Sequence, residues 1–236
     1  MMTFYRYNRL FHKWVGLILL IQLIFWIGGG TIMALLDIDE VHGDHLHHEL
    51  NLAMPANQYR HPLQDIFQDE IIPHVEFISI NNEPVYKVKL GNLAYFSALD
   101  GREMPPLEAA QIASMAQALF TRQPTIQNQT LLTELPMEAR PLKPPMWRID
   151  FADKDNTSFY MHPVSGELLR IRSDIWRLFD FVWMLHIMDY DERDDFNHPL
   201  LISFALSALL FTLSGAVLIY QIIFKRALLN RQRKSS

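Results

Sequence analysis

Cysteine is absent from the 236 residues. Disulfides, iron–sulfur clusters, thiol chemistry and covalent c-type haem are thereby excluded. Charge is absent from two long stretches, "WVGLILLIQLIFWIGGGTIMALL" (14–36) and "PLLISFALSALLFTLSGAVLIYQIIF" (199–224). Histidine is missing from both as well, so neither supplies an imidazole at the mid-depth of a bilayer. Acidic side chains are missing from the first 36 residues and from all positions after Asp195. There is no glycine-rich phosphate loop, no dinucleotide fingerprint and no nucleophile elbow.

Each uncharged run exceeds the roughly 20 residues that an α-helix needs to cross a bilayer, so 14–36 and 199–224 are expected to be transmembrane helices. A cleaved leader is a poorer account of the first, because its apolar part is too long and no small-x-small site follows. Arg6, Arg9 and Lys13 precede the first run, and Lys225, Arg226, Arg231, Arg233 and Lys234 follow the second. Basic residues beside spans stay inside. Both termini, 1–13 and 225–236, are therefore expected in the cytoplasm, with residues 37–198 in the periplasm of a bacterial inner-membrane protein. Eight of the 21 basic residues lie at the termini, so residues 37–195 hold 13 basic against 26 acidic side chains, a formal charge of −13. A surface so acidic excludes a nucleic-acid partner, and membrane lipid is the partner that composition implies.

Between the spans the pattern predicts an α+β domain. A His- and acid-rich linker (37–60) leads into residues 61–172. "HPLQDIFQDEII" (61–72) is spaced like one short amphipathic helix. "VEFISINNEPVYKVKLG" (75–91) alternates like a hairpin turning at Asn81–Pro84. "LAYFSALDGREM" (93–104) continues as a strand with an Asp-Gly turn. "PPLEAAQIASMAQALF" (105–120) reads as a helix opened by prolines, and "MWRIDFADKDNTSFYMHPVSGELLRI" (146–171) as three short strands. "YFSALDGRE" (95–103) lines up with "FYMHPVSGE" (159–167) about 65 residues on. The economical reading is two helix-plus-antiparallel-strand modules, 61–104 and 105–172; chance recurrence of turn residues is the bland one. "SDIWRLFDFVWMLHIMDY" (173–190) is too polar to span and too apolar for a soluble helix. It is expected at headgroup level, with an acidic bend running to residue 198.

Three stretches carry a family resemblance. "RLFHKWVGLILLIQLIFWIGGG" (9–30) resembles the opening of the PepSY-associated transmembrane family of bacterial envelopes. "FYMHPVSGELLRI" (159–171) resembles the PepSY strand–turn–strand, with His162 and Ser165 in place of the usual Asp and Thr. "FDFVWMLHIMDY" with "LSGAVLIY" (213–220) resembles its Leu-His segment and closing helix. The resemblance implies a short, two-span member with one or two PepSY-like modules. Longer members are linked to reduction of ferric siderophores through b-type haem held by helix histidines. What it implies here is a haem redox or electron-transfer component in iron or metal acquisition, an oxidoreductase or a subunit of one. The alternatives are a non-enzymatic envelope module (sensor, inhibitor or assembly factor) that binds a partner through its PepSY domain, or a periplasmic metal-binding accessory.

The candidate residues follow from both lines. His12 and His186 lie in the family-like motifs, and His198 approaches the outer edge of the second span; these three are the candidate haem ligands, and without cysteine a bound haem would be non-covalent. "DIDEVHGDHLHHELN" (37–51) packs four histidines and five carboxylates into fifteen positions. If that stretch is helical, His42 and His45, and His45 and Glu49, share a face. Together with His47 and His48 they form a candidate site for a divalent metal, or for haem with His186 or His198. Against this stands the plain reading of a solvated loop. His12 also reads as a helix-edge residue, His186 as an interfacial histidine satisfied by a carboxylate such as Asp189, and His162 as structural. Gly28–Gly30 with Ser207, Ser214 and Gly215 form small-residue faces for helix packing, expected to give a homodimer or a place in a membrane complex.

Overall fold

The computed structural model describes residues 2–48, 54–68, 71–90 and 92–234. The chain divides into two compact units. One is the helical unit, Met1–Asp37 with Leu178–Ser236; the other, Ile38–Arg177, carries both sheets.

In the helical unit, α1 (Met2–Leu35) and α6 (Pro199–Lys234) contain the two apolar runs, and both are long and apolar enough to cross a membrane. They pack on each other through small residues. A Cβ at Gly16 would lie 2.6 Å from Phe211 Cε2, and one at Gly215 would lie 3.0 Å from His12 Cε1. The C-terminal part of α5 (Asp174–Ile187) packs on α1, with Gly29 meeting Val182 at 3.0 Å and Gly30 meeting His186 at 3.8 Å. Of the small residues expected to face a second chain, Gly29, Gly30 and Gly215 are thus covered from within the chain. Gly28 alone of the three consecutive glycines has open space around it.

The sheet unit starts with α2 (Ile38–His42), which stops at Gly43. Gly43 has φ 80, and a Cβ there would come within 2.7 Å of Ile171 Cγ2, so neither the backbone nor the space admits a side chain. A 3₁₀ turn, Asp44–Leu46, follows. The helix expected over 61–72 is only α3 (Leu63–Phe67): Pro62 opens it, and Gln68 at φ 47 ends it. A sheet of β1 (Val75–Ile80), β2 (Glu83–Leu90) and β3 (Asn92–Ser97) comes next, paired antiparallel in chain order. Asn81 and Asn82, at φ 51 and 64, form its two-residue turn. Paired left-handed residues match the twist of a hairpin, and asparagine tolerates that region.

Helix α4 (Ala109–Leu119) is capped by Glu108 and Gln111 in a reciprocal capping box. It leads to a second antiparallel sheet in chain order, β4 (Ile126–Leu132), β5 (Met146–Phe151), β6 (Ser158–Met161) and β7 (Leu168–Arg172). Both sheets contribute to one core with α4. Ile80, Val85 and Tyr95 come from the first sheet, Ile149, Phe151, Phe159 and Ile171 from the second, and Ile112, Ala116 and Leu119 from α4. Phe120, Phe151 and Phe159 pack there in tilted and edge-on pairs with ring centroids 4.7 to 5.1 Å apart. Each phenylalanine fully buried this way contributes about 1.5–3 kcal/mol.

The repeat seen in sequence has a counterpart in the turns. Ser97 N–H donates to Arg102 O (2.8 Å) and Gly101 N–H to Ser97 O (2.9 Å); 65 residues on, His162 N–H donates to Glu167 O (2.9 Å) and Gly166 N–H to His162 O (2.9 Å). Gly101 and Gly166 share φ values of 76 and 68. The side chain two residues back accepts from Leu99 N–H (Ser97 Oγ, 3.2 Å) and from Val164 N–H (His162 Nδ1, 3.2 Å). After the first turn the chain makes only the Phe96–Glu103 bridge, whereas after the second it forms the whole of β7.

Candidate functional site

The sequence candidates fall into both units. In the helical unit His186 lies in the last turn of α5. Its carbonyl, like that of Leu185, has no acceptor role inside the helix. Both carbonyls are satisfied from α1: Trp26 Nε1–H donates to His186 O at 2.7 Å, and Gln22 Nε2–H donates to Leu185 O at 2.9 Å. The imidazole lies over Gly30 and beside the Trp26 ring, centroids 5.9 Å apart. Its Nδ1 is buried and has no hydrogen-bond partner. The expected carboxylate partner, Asp189, is committed elsewhere. It accepts backbone N–H bonds from Asp191, Glu192, Asp194 and Asp195 at 3.1 to 3.3 Å. Those bonds, the one from Asp195 foremost, hold its carboxyl down at about 2.

His12 is occupied by packing. Its Nδ1 is 2.7 Å from Ser214 Oγ and 3.2 Å from Phe211 O, and its ring stacks on Phe211 at 4.2 Å between centroids. Asn8 Nδ2–H donates to Ser214 O alongside, at 3.1 Å. His12 and Gly30, the residue under His186, stand eighteen positions apart on one helix, about 27 Å of rise. His12 and His186 of one chain therefore cannot share an iron. His198 caps α6, with Leu200 N–H donating to its Nδ1 at 3.4 Å.

Residues 42–48 belong to the sheet unit, anchored in it at Gly43, Leu46 and His47 and exposed at His42, Asp44, His45 and His48. Val41 and Leu46 are fully buried, His47 bridges Phe120, and His48 N–H donates to Leu119 O at 2.8 Å. They are not one helix. Gly43 separates His42 from His45, so the shared face expected of an unbroken helix does not form. Glu49 lies outside the described residues. His42, Asp44 and His47 line one cleft of about 460 Å³ along β7, with Arg170, Arg172 and Trp176; His45 and His48 do not line it. His47 Nδ1 is buried without a partner. Among the described residues no group of three or more His, Asp and Glu is placed to hold a metal ion. His162 is structural, its Nδ1 accepting from Val164 and Ser165 N–H at 3.2 Å each, and burial lowers its pKa.

A second feature of the sheet unit is a polar cleft of about 620 Å³ on the second sheet. Alternation on β5 and β6 turns Arg148, Asp150, Ser158 and Tyr160 to one face while Ile149 and Phe159 enter the core. Glu138 and Arg177 close the set. Arg177 Nε–H donates to Glu138 Oε2 at 2.9 Å, Tyr160 O–H to Glu138 Oε1 at 2.6 Å, Arg148 Nε–H to Asp150 Oδ1 at 2.7 Å, and Ser158 O–H to Asp150 Oδ1 at 2.6 Å. Burial pushes the Glu138 and Asp150 carboxyls up, but these bonds and the arginine charges outweigh it, and both end below their ordinary values. Burial and the Glu138 carboxylate raise the Tyr160 phenol. The alternation along 146–161 is a sequence signal for this face. Its closure by Glu138 and Arg177 is not, since both come from outside the strands.

Comparison with family models, with curated proteins and with solved structures finds no match to the chain.

Proposed function

We propose that the protein is a two-pass inner-membrane component of the PepSY-associated type that holds b-type haem non-covalently through His186 and passes electrons in iron or metal acquisition. Both termini are cytoplasmic in this reading and residues 37–198 are periplasmic. The observation that carries it is the His186 imidazole, fixed on a helix against Gly30 and Trp26 with a buried, unpartnered nitrogen. A ring so placed is held on a helix, and no hydrogen bond within the chain competes for its Nδ1; because that atom is covered, haem would have to displace the side chains over it. Bound haem would supply a one-electron couple; the chain supplies one imidazole, Gly29 and Gly30 being already covered by Val182 and His186. His12 is held by Ser214 and Phe211, and His198 by its capping role. A second axial ligand would then come from outside the chain, so a homodimer or a larger membrane complex is part of the proposal.

A second reading is favoured by the polar cleft. Glu138, Arg148, Asp150 and Arg177 form a charge-balanced surface suited to a polar partner, as in a sensor, inhibitor or assembly factor. Absorption spectra of protein made with haem supply, before and after dithionite, separate the readings. A low-spin α band that survives His12→Ala and is lost in His186→Ala supports the haem site. Folded protein without haem that binds zinc or copper through residues 42–49 makes it a metal accessory. Folded protein with neither leaves the partner-binding module.

A further inference from the structure

The apolar part of α1, Phe4–Leu35, is 32 residues, or about 48 Å of helix, and a bilayer core is only about 30 Å thick. Its uncharged run, 14–36, would by itself put one edge at Lys13 and the other at Leu36. We infer that the edge of the hydrocarbon on the α5 side lies at Trp26 rather than at Leu36, and that α5 from Leu178 to Ile187 lies in the headgroup layer at that depth. This does not depend on the haem reading.

Three sides of α5 lead to it. Val182 and His186, four apart, face α1 at Gly29 and Gly30. Asp180, the one formal charge between Leu178 and Ile187, is ion-paired with Arg193, whose carbonyl also accepts from Trp183 Nε1–H at 3.1 Å. Leu178 and Phe181, three apart, are left bare on the remaining side, Phe181 being 53% exposed. A helix with one face on a span, its charge neutralised and its last face apolar is built for lipid. Its terminal carbonyls are capped by Gln22 and Trp26 of α1 in place of water. Trp26 also meets Phe204 of α6 edge-on at 5.1 Å, so α1 and α6 come to one level there, with Trp26 as the amphipathic ring of a headgroup-level anchor.

The far edge follows by length. About 20 residues cross the core, which leads from Trp26 to Arg6 on α1 and from Phe204 to Phe224 on α6. Lys225 and Arg226 come next. Arg9 and Lys13 lie within two turns of that edge, where long basic side chains reach back to the headgroups. The count on α6 ends where its basic residues begin, while that on α1 passes Lys13 and Arg9 before it reaches Arg6. The shift of ten residues moves Leu35 into water and carries His12, with Ser214 and Asn8, into the hydrocarbon.

The absence of cysteine makes the test direct. Single-cysteine variants of the full chain are labelled with a charged maleimide in freeze–thawed membranes, where both aqueous faces are open. Leu35 is 80% exposed, Ile18 77% and Phe11 44%, so protein does not shield them and lipid decides. Leu35→Cys is expected to react like the loop control Asp191→Cys. Phe11→Cys and Ile18→Cys should react at least about tenfold more slowly, because a thiol in hydrocarbon does not ionise. A slow Leu35→Cys, or a Phe11→Cys as fast as Asp191→Cys, overturns the placement. Detergent-solubilised samples, in which all four must label, confirm that each variant is made and folded.

Discussion

At the scale of single residues, Glu138 joins more of the sheet unit than any candidate drawn from sequence. Its carboxylate takes bonds from Tyr160 and Arg177 and stands 3.6 Å from Arg148 Nη1, while its carbonyl takes one from Arg172. Its pKa is lowered on folding, so its stabilisation is complete above the unfolded value of about 4.3 and fades as pH falls through the lower folded one. Glu138→Gln should cost about 1–3 kcal/mol at pH 7. The gap in melting temperature from the parent should close below pH 4; an equal gap at pH 3 would remove charge from the account. Histidine count made 42–48 prominent in the sequence, and Gly43 is why the helical reading of it fails. Only φ reveals that one residue parts His42 from the other three histidines. Glu138 had no signal at all, because its partners lie 10 to 39 positions away and meet only after the sheet closes.

At the scale of elements, the apolar runs, the hairpin at Asn81–Asn82, helix α4 and strands β5 to β7 were legible, since each carries a period and a stop signal. Strand β4 was not: "IQNQTLL" holds polar side chains at four of seven positions, and its pairing with β5 decides its state. The glycine faces of α1 were legible as packing surfaces but not as to partner. Gly29 meets Val182 of the same chain, so Gly29→Leu should lift α5 off α1 and speed amide exchange over 178–187. Gly28→Leu, with nothing near it, should leave that exchange unchanged. Equal effects from both would place the contact elsewhere. In a membrane dimerisation assay, Gly29→Leu is expected to act only through this local release.

At the scale of the whole chain, the α+β class with two apolar helices and two antiparallel sheets follows from hydropathy and alternation, read together. Orientation rests on eight basic residues at the termini. A phosphatase active only in the periplasm should work when fused at the exposed Lys154 turn and fail after Lys234. The reverse result would invert the topology.

In both sheets the spatial order of strands is their order in the chain. No strand waits for a later one to be inserted between itself and its neighbour. As the chain is synthesised from its N-terminus, each new strand meets an edge that is already made, and each closure spans a short loop with a small entropy cost. A segment handed across a membrane in an extended state can thus fold in the order in which it arrives.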